Sequence, residues 1–264
     1  MPSPRPVALV TGASAGIGKE LARVFARNGH DLVLTARREA ELRTLADELA
    51  RAHGAAVHVF TVDLADPAAP RALFDKVSAA GLVVDVLVNN AGFGVYGPFA
   101  DADPTRVTTM VQVNVAALTD LTRLFLPGMV ARKTGRVLNV ASTAAFQPGP
   151  LMAVYYATKA YVLSLSEATA YELRRTGVTV TCLCPGPTRT EFATVAAMED
   201  TKLFDAPYAM EVGPVAEAGY RATMRGVRVV VPGAQNWIGS TFARFIPHWL
   251  LLRIVYRIQK RRTG

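Results

Sequence analysis

Tyr155 and Lys159 stand four residues apart, so a helix through them sets both side chains on one face, about a turn from each other. A phenol with a pKa near ~10 is a weak acid–base catalyst at neutral pH. A neighbouring ammonium favours the phenolate and draws that pKa toward the working range. Ser142 follows the β-rich run Arg136–Val140 and so stands at the carboxyl end of a strand. Ligands in open α/β sheets bind at that edge, where Ser142 can reach the same crevice as Tyr155.

A second constellation lies near the N-terminus. The apolar run Val7–Val10 leads straight into Thr11-Gly12-Ala13-Ser14-Ala15-Gly16-Ile17-Gly18, followed by helix-compatible sequence. Glycines at this spacing let the backbone turn tightly and approach a pyrophosphate, while the helix start offers unpaired N–H groups and the positive end of its dipole. The spacing is Gly-x-x-x-Gly-x-Gly rather than the Gly-x-Gly-x-x-Gly of the common dinucleotide fingerprint, and a purely structural glycine turn is its bland alternative. After the next strand comes Leu34-Thr35-Ala36-Arg37-Arg38, with no acid where an adenosine ribose with free hydroxyls is usually bound. Arg37 suits a 2′-phosphate, so NADP(H) is favoured and NAD(H) is the alternative; Arg38 is expected to start a solvated helix face.

These residues need a scaffold that gathers strand ends. Probable strands are Val7–Val10, Asp31–Leu34, Val57–Val62, Val84–Val88, Arg136–Val140, Val178–Cys184 and Val227–Val231. The early ones are near-continuous apolar runs, as expected of strands covered on both faces. Helical stretches alternate with them: Ile17–Asn28, Glu39–Ala52, Pro70–Ala80, Thr105–Ala131 and Val154–Arg175. The alternation predicts one doubly wound α/β domain with a mostly parallel sheet of about seven strands and right-handed crossovers.

Bulk composition narrows the function classes. At 264 residues and 51% hydrophobic, the chain can bury a large core. Cys182 and Cys184, two apart in a β-branched run, share one strand face and read as buried small hydrophobes of a reducing compartment. The four histidines have no partner spacing for a metal, and none is expected. No secretory signal and no spanning segment are read in the sequence, so a cytoplasmic protein is expected. From Ala218 onward there is no Asp or Glu but nine Arg or Lys, so the net charge of +8 belongs to the tail. That distribution argues against a nucleic-acid-binding body.

With these residues the chain resembles the classical branch of the short-chain dehydrogenase/reductase family over roughly residues 5–235. Asp63-Leu64 follows the third strand, Asn89-Asn90-Ala91-Gly92 closes the fourth, Asn114 lies in the long helix after it, and Pro185-Gly186 closes the sixth. The resemblance implies a Rossmann-type fold and an enzyme interconverting a carbonyl and an alcohol. By it, Tyr155 gives its proton to the substrate oxygen, Ser142 hydrogen-bonds that oxygen, and Lys159 lowers the tyrosine pKa and holds the nicotinamide ribose. Asn114 positions a water behind Lys159. Gly12, Ser14, Ala15, Gly16, Ile17 and Gly18 would bind the cofactor with Arg37, Asp63, Leu64, Asn90, Ala91, Gly92, Pro185 and Gly186, and with Thr188 or Thr190 at the carboxamide. Tyr156 is a rival for Tyr155 but breaks the family's Tyr-x-x-x-Lys pattern. The competing readings are an NAD-dependent alcohol dehydrogenase of the same family and a nucleotide-binding regulatory protein without turnover.

Two segments are expected to wall the substrate pocket: Phe93–Phe99, and the loop Phe192–Met210 with Val195, Met198, Leu203, Phe204 and Tyr208. Both are apolar and aromatic, which suits a lipid, acyl or steroid-like carbonyl; packing on the sheet edge or a neighbouring subunit is the alternative. Residues 1–6 are read as a flexible N-terminus, 7–240 as the catalytic domain and 241–264 as a basic amphipathic extension beyond the family pattern. After Pro247, helical spacing aligns Leu251, Ile254, Val255 and Ile258 on one face and Arg253, Arg257 and Lys260 or Arg261 on another. Such a helix can lie in a membrane surface, cover the pocket or contact a second subunit. The family resemblance also implies a homo-oligomer through the two long central helices.

Overall fold

The computed structural model describes residues 5–198, 201, 209–243 and 245–260. Seven parallel strands form one sheet in the order β3-β2-β1-β4-β5-β6-β7. They are β1 (Val7–Thr11), β2 (Asp31–Ala36), β3 (Val57–Thr61), β4 (Val84–Asn89), β5 (Gly135–Val140), β6 (Val178–Leu183) and β7 (Val229–Val230). Every expected strand is present, although the last is shortened to two residues. The helices α1 (Gly16–Arg27), α2 (Glu39–His53), α3 (Ala69–Ala79), α4 (Pro104–Val111), α5 (Leu118–Ala131) and α6 (Ala153–Glu172) cover the sheet. A short α7 (Phe192–Val195) and then α8 (Val212–Arg225), α9 (Ala234–Ala243) and α10 (His248–Gln259) complete the chain.

The apolar runs follow from burial on both faces. Alternate residues of β1, β2 and β4, such as Ala8, Val10, Leu32, Leu34, Val86 and Val88, pack against α1, α2 and α8 through Leu21, Phe25, Leu42, Leu45 and Val215. Their neighbours Leu9, Val33 and Leu87 face the opposite layer, where Leu73 of α3 and Leu121, Phe125 and Met129 of α5 meet them. A period of two on each strand thus feeds two cores. Helix α2 ends at Gly54, whose left-handed φ of 61° lets its N–H reach the Ala50 carbonyl. Residues 1–4 of the expected flexible N-terminus lie outside the described residues, whereas Arg5 donates to the carbonyls of Gly29, His53 and Gly54.

The long helix expected over Thr105–Ala131 is not uniform. Between α4 and α5 runs a π-helical stretch, Gln112–Ala117, that carries Asn114. The wider turn adds a residue per turn and re-aims the side chains it holds, which a hydrophobic period of about 3.6 does not reveal.

A buried polar chain ties α5 and α6 to the sheet. The Asn89 amide donates to the Thr122 hydroxyl at 3.0 Å and to the Asn139 side-chain Oδ1 at 2.9 Å. The Asn139 amide in turn donates to the Ser166 hydroxyl at 2.9 Å. Asn139 therefore holds β4 and α6 at once, and α6 is the helix carrying Tyr155 and Lys159. Asn139→Ala is expected to lower unfolding stability by about 2–3 kcal/mol, because it strands buried donors and acceptors. Urea unfolding checks this; an unchanged midpoint would show that the chain contributes nothing net.

Candidate active site

The strand order reverses between β1 and β4, and the ends of these two strands are clasped. The Thr11 hydroxyl accepts from the backbone N–H groups of Asn90 at 2.9 Å and Ala91 at 3.0 Å. The Asn90 amide donates back to the Thr11 carbonyl at 2.9 Å. Above this clasp opens a crevice of about 710 Å³ that runs from Arg37, Arg38 and Asp63 to Tyr155 and the C-terminal helix.

Gly12, Ser14, Ala15, Gly16 and Ile17 line one end of it, with Asn90, Ala91 and Gly92 beside them. Gly12 and Gly16 take left-handed φ values of 65° and 53°. Gly18 lies outside the crevice wall but lets the turn close: a Cβ there would sit 2.4 Å from the Gly12 carbonyl oxygen and 2.3 Å from the Asn90 amide nitrogen. The N-cap of α1 is Ala15, so no side chain occupies the first-turn N–H groups. This cradle fits a pyrophosphate, the group a dinucleotide cofactor would place there. Leu64 is buried beside Asp63 at the adenosine end.

Arg38 is exposed at the start of α2, as expected, but has a further part. It does not merely begin a solvated face: as the N-cap of α2 it reaches over the crevice mouth to the Ser14 hydroxyl at 3.3 Å and the Glu191 carboxylate at 2.9 Å. Both arginines line this end, so both can meet a 2′-phosphate. The two threonines also separate. Thr188 is buried and donates to the Gly186 carbonyl at 2.9 Å, whereas Thr190 packs on Gly16, within 3.2 Å of where a Cβ would be. Pro185 and Gly186 line the wall between them and Ser142.

Helix α6 brings Tyr155 and Lys159 to the same wall as Ser142, which stands just past β5. Burial raises the Tyr155 pKa well above the ordinary phenol value, and the Ser142 hydroxyl partly offsets it. Burial also lowers Lys159, from 10.5 to about 8. Its ammonium donates to the Val140 carbonyl at 2.8 Å and lies 5.7 Å from the Tyr155 ring centroid. The expected depression of the tyrosine by the lysine is not what governs it here: burial of the phenol does, with Ser142 acting the other way. Cys182 and Cys184 are free, buried and side by side, with sulfurs 3.7 Å apart.

Asn114 is not itself part of the crevice wall but lies directly behind it. Its Oδ1 accepts from the Phe93 N–H at 3.1 Å, and its Nδ2 donates to the Phe93 carbonyl at 3.0 Å and the Thr158 hydroxyl at 3.2 Å. It therefore pins the loop after β4 to α6. A Cβ on Gly92 would fall 2.9 Å from Asn114 Oδ1 and 3.5 Å from Lys159 Nζ, so only glycine leaves room there.

Tyr156 is directed elsewhere: its hydroxyl accepts from the Gln259 side-chain amide, and burial raises its pKa to about 12. The substrate end is apolar. Phe93, Val95, Tyr96 and Phe192 pack with Met152, Tyr155 and Tyr156, and the Tyr155 and Phe192 rings are 5.2 Å apart. Phe99, expected in this wall, is instead exposed. Leu203, Phe204 and Tyr208 lie outside the described residues.

Helix α10 closes this end, a placement that periodicity could not choose. Leu251 and Val255 are buried against the tyrosines, Ile258 lines the crevice, and Ile254 faces out; Gln259 takes the last buried position. Arg261, expected on the basic face, lies outside the described residues. A pocket cover is one of the expected alternatives for this helix, with Val255 and Ile258 on its apolar face; the wall residue that sequence reasoning missed is Gln259, because nothing local says where a C-terminal helix docks.

A lysine shifted from 10.5 to about 8 carries its charge at neutral pH against a cost on the order of 3 kcal/mol. Its folded pKa lies below its unfolded one, so the cost is full below about pH 8 and fades as pH rises toward 10.5. Lys159→Met is therefore expected to raise the melting temperature by several degrees at pH 7 and by less near pH 10. Thermal unfolding at both pH values checks this; a lower melting temperature at pH 7 would contradict it.

Comparison with known proteins gives the family. Residues 6–200 match the family profile described as short chain dehydrogenase. Sulfoacetaldehyde reductase 2 of Chromohalobacter salexigens is 36% identical over 249 residues, covering 90% of this chain and 97% of that protein. A short-chain dehydrogenase from Sphingobium yanoikuyae, solved in complex with NADPH, superposes with a TM-score of 0.80 at 32% identity over 98% of both chains. The bulky-bulky ketone specific alcohol dehydrogenase from Comamonas testosteroni gives 0.77 at 28% identity, over 98% of this chain and 97% of that one. Fold and sequence agree: the chain is an oxidoreductase of the short-chain dehydrogenase/reductase family.

Proposed function

We propose that this protein is an NADP(H)-dependent reductase of a hydrophobic carbonyl, acting through Ser142, Tyr155 and Lys159. The observation that carries the reading is the convergence of these three side chains, the glycine cradle and two arginines on one apolar crevice. A bound reduced nicotinamide supplies the hydride. Arg37 and Arg38 hold the 2′-phosphate, the α1 N-terminus the pyrophosphate, and Lys159 the nicotinamide ribose.

Tyr155 is the proton donor. Its raised pKa keeps the phenol protonated at neutral pH, as reduction requires. Ser142 donates a hydrogen bond to the substrate oxygen as its charge grows. The Lys159 ammonium steadies the phenolate left after proton transfer; with a pKa of about 8 it is mostly charged at pH 7. Asn114 acts as a positioning residue, by holding Phe93 and Thr158 in register. The apolar wall from Phe93, Met152, Phe192 and Val255 favours lipid, acyl or steroid-like carbonyls, in keeping with a solved relative specific for bulky-bulky ketones.

The outward face of α10 supports contact with a membrane surface. Trp249, Leu252, Ile254 and Tyr256 are exposed there, next to the exposed Phe242 and Phe245. Arg253 stacks over Trp249 at 5.3 Å, and Arg257 lies one turn on. Each basic residue near anionic headgroups contributes roughly 1 kcal/mol. None of the described helices is long and apolar enough to cross a membrane, so the contact would be peripheral, at the cytoplasmic face.

Two measurements test these readings. NADPH oxidation with hydrophobic ketones and oxoacyl thioesters is expected to fall by about 10²–10⁴-fold in Tyr155→Phe, while nicotinamide fluorescence still reports NADPH binding in preference to NADH. Turnover surviving in the variant would remove Tyr155 from its role; binding without turnover of any ketone would favour a regulatory protein. Cosedimentation with anionic vesicles is expected for the wild type and to drop in Phe245→Ser/Trp249→Ser, whose side chains face away from the crevice. No cosedimentation of the wild type would exclude the membrane contact, and equal binding by both would remove this face from it.

A further inference from the structure

The apolar substrate end contains one polar pair that the proposed reduction does not use. Gln259 is 1% exposed and forms part of the crevice wall together with Tyr156. Its Nε2 donates to the Tyr156 hydroxyl, and its backbone carbonyl accepts from the Tyr96 hydroxyl at 2.8 Å. Its Oε1 has no hydrogen-bond partner among the described residues. Tyr156, having accepted from Gln259, still has its own O–H proton to donate. A glutamine here is a poor choice for packing alone, since Tyr156, which it meets, belongs to an apolar cluster with Met152, Leu251 and Val255, and a buried unpaired amide oxygen is costly.

A buried acceptor and a buried donor side by side match a group that can both donate and accept, and a hydroxyl does both. Oε1 is shielded from solvent as it stands, and the soft terminal torsion of a glutamine lets the amide turn it toward such a ligand without moving α10. Resting on the reductase reading above, we propose that Gln259, with Tyr156, recognises a second hydroxyl on the substrate. The natural substrate is then a hydrophobic carbonyl compound bearing a hydroxyl away from the reacting carbon. The crevice beyond Tyr155 is polar at this pair and apolar along Val255 and Ile258, so the pair sets which end of the molecule leads.

The probes are methyl ketones of one chain length carrying a single hydroxyl at successive carbons, beside the parent ketone. NADPH-dependent kinetics are measured for the wild type, Gln259→Met and Tyr156→Phe. One hydroxylated isomer is expected to have a KM about tenfold below the parent ketone in the wild type. That ratio is expected to collapse in Gln259→Met and to shrink in Tyr156→Phe. Because the ratio compares two substrates on one protein, a glutamine that only anchors α10 would leave it unchanged.

Thermal shifts of the NADPH complex with the same ketones make the comparison without turnover. A hydroxyl preference in binding with no turnover would discard the reductase reading and keep Gln259 as a recognition residue. No preference for any isomer in the wild type, or a preference that survives in Gln259→Met, would overturn the inference.

Discussion

The site depends on the clasp between Thr11 and Asn90. One threonine hydroxyl accepts two backbone N–H groups from the chain leaving β4, and the Asn90 amide returns a bond to the end of β1. These strands flank the point where the sheet order reverses. Crossovers on either side leave in opposite directions there, so a crevice must open above the strand ends. The clasp keeps it at a set width. The glycine turn closes over the same asparagine, which leaves no space for a Cβ on Gly12 or Gly18.

On the other side of the crevice, the governing effect is loss of water. Lys159 and Tyr155 are both buried, and desolvation drives their pKa values apart, the lysine down and the tyrosine up. A dry site disfavours the charged form of each. It also strengthens the interaction between them once a charge forms. The structure holds this costly pair through rigid partners: Val140 for the ammonium, and the chain from Asn89 through Asn139 to Ser166 for α6. Stability is given up where chemistry is to be done and recovered in the two cores.

The C-terminal helix has two unlike faces because it serves as a wall. Leu251, Val255 and Gln259 recur every four residues and face the tyrosines, while Trp249, Leu252 and Tyr256 face outward. One helix thus presents apolar side chains both to the crevice and to the outside.

Much of this was legible along the chain. The strands announced themselves as apolar runs because parallel strands are buried on both faces, and the glycine turn and the Tyr155–Lys159 spacing are local enough to read directly. Other features were decided only when distant segments met. Tyr155 and Tyr156 are neighbours on one helix, and what separates them is that one meets Ser142 and the other Gln259, 103 residues on. Arg38 reads as a helix start until Glu191 is brought across the mouth to meet it. The π-helical stretch at Asn114 leaves the hydrophobic period nearly intact, and the stripe on α10 fits membrane, subunit and crevice equally well. Local spacing records which face an element buries; what lies against that face depends on contacts between residues far apart in the chain, and only the tertiary structure supplies those.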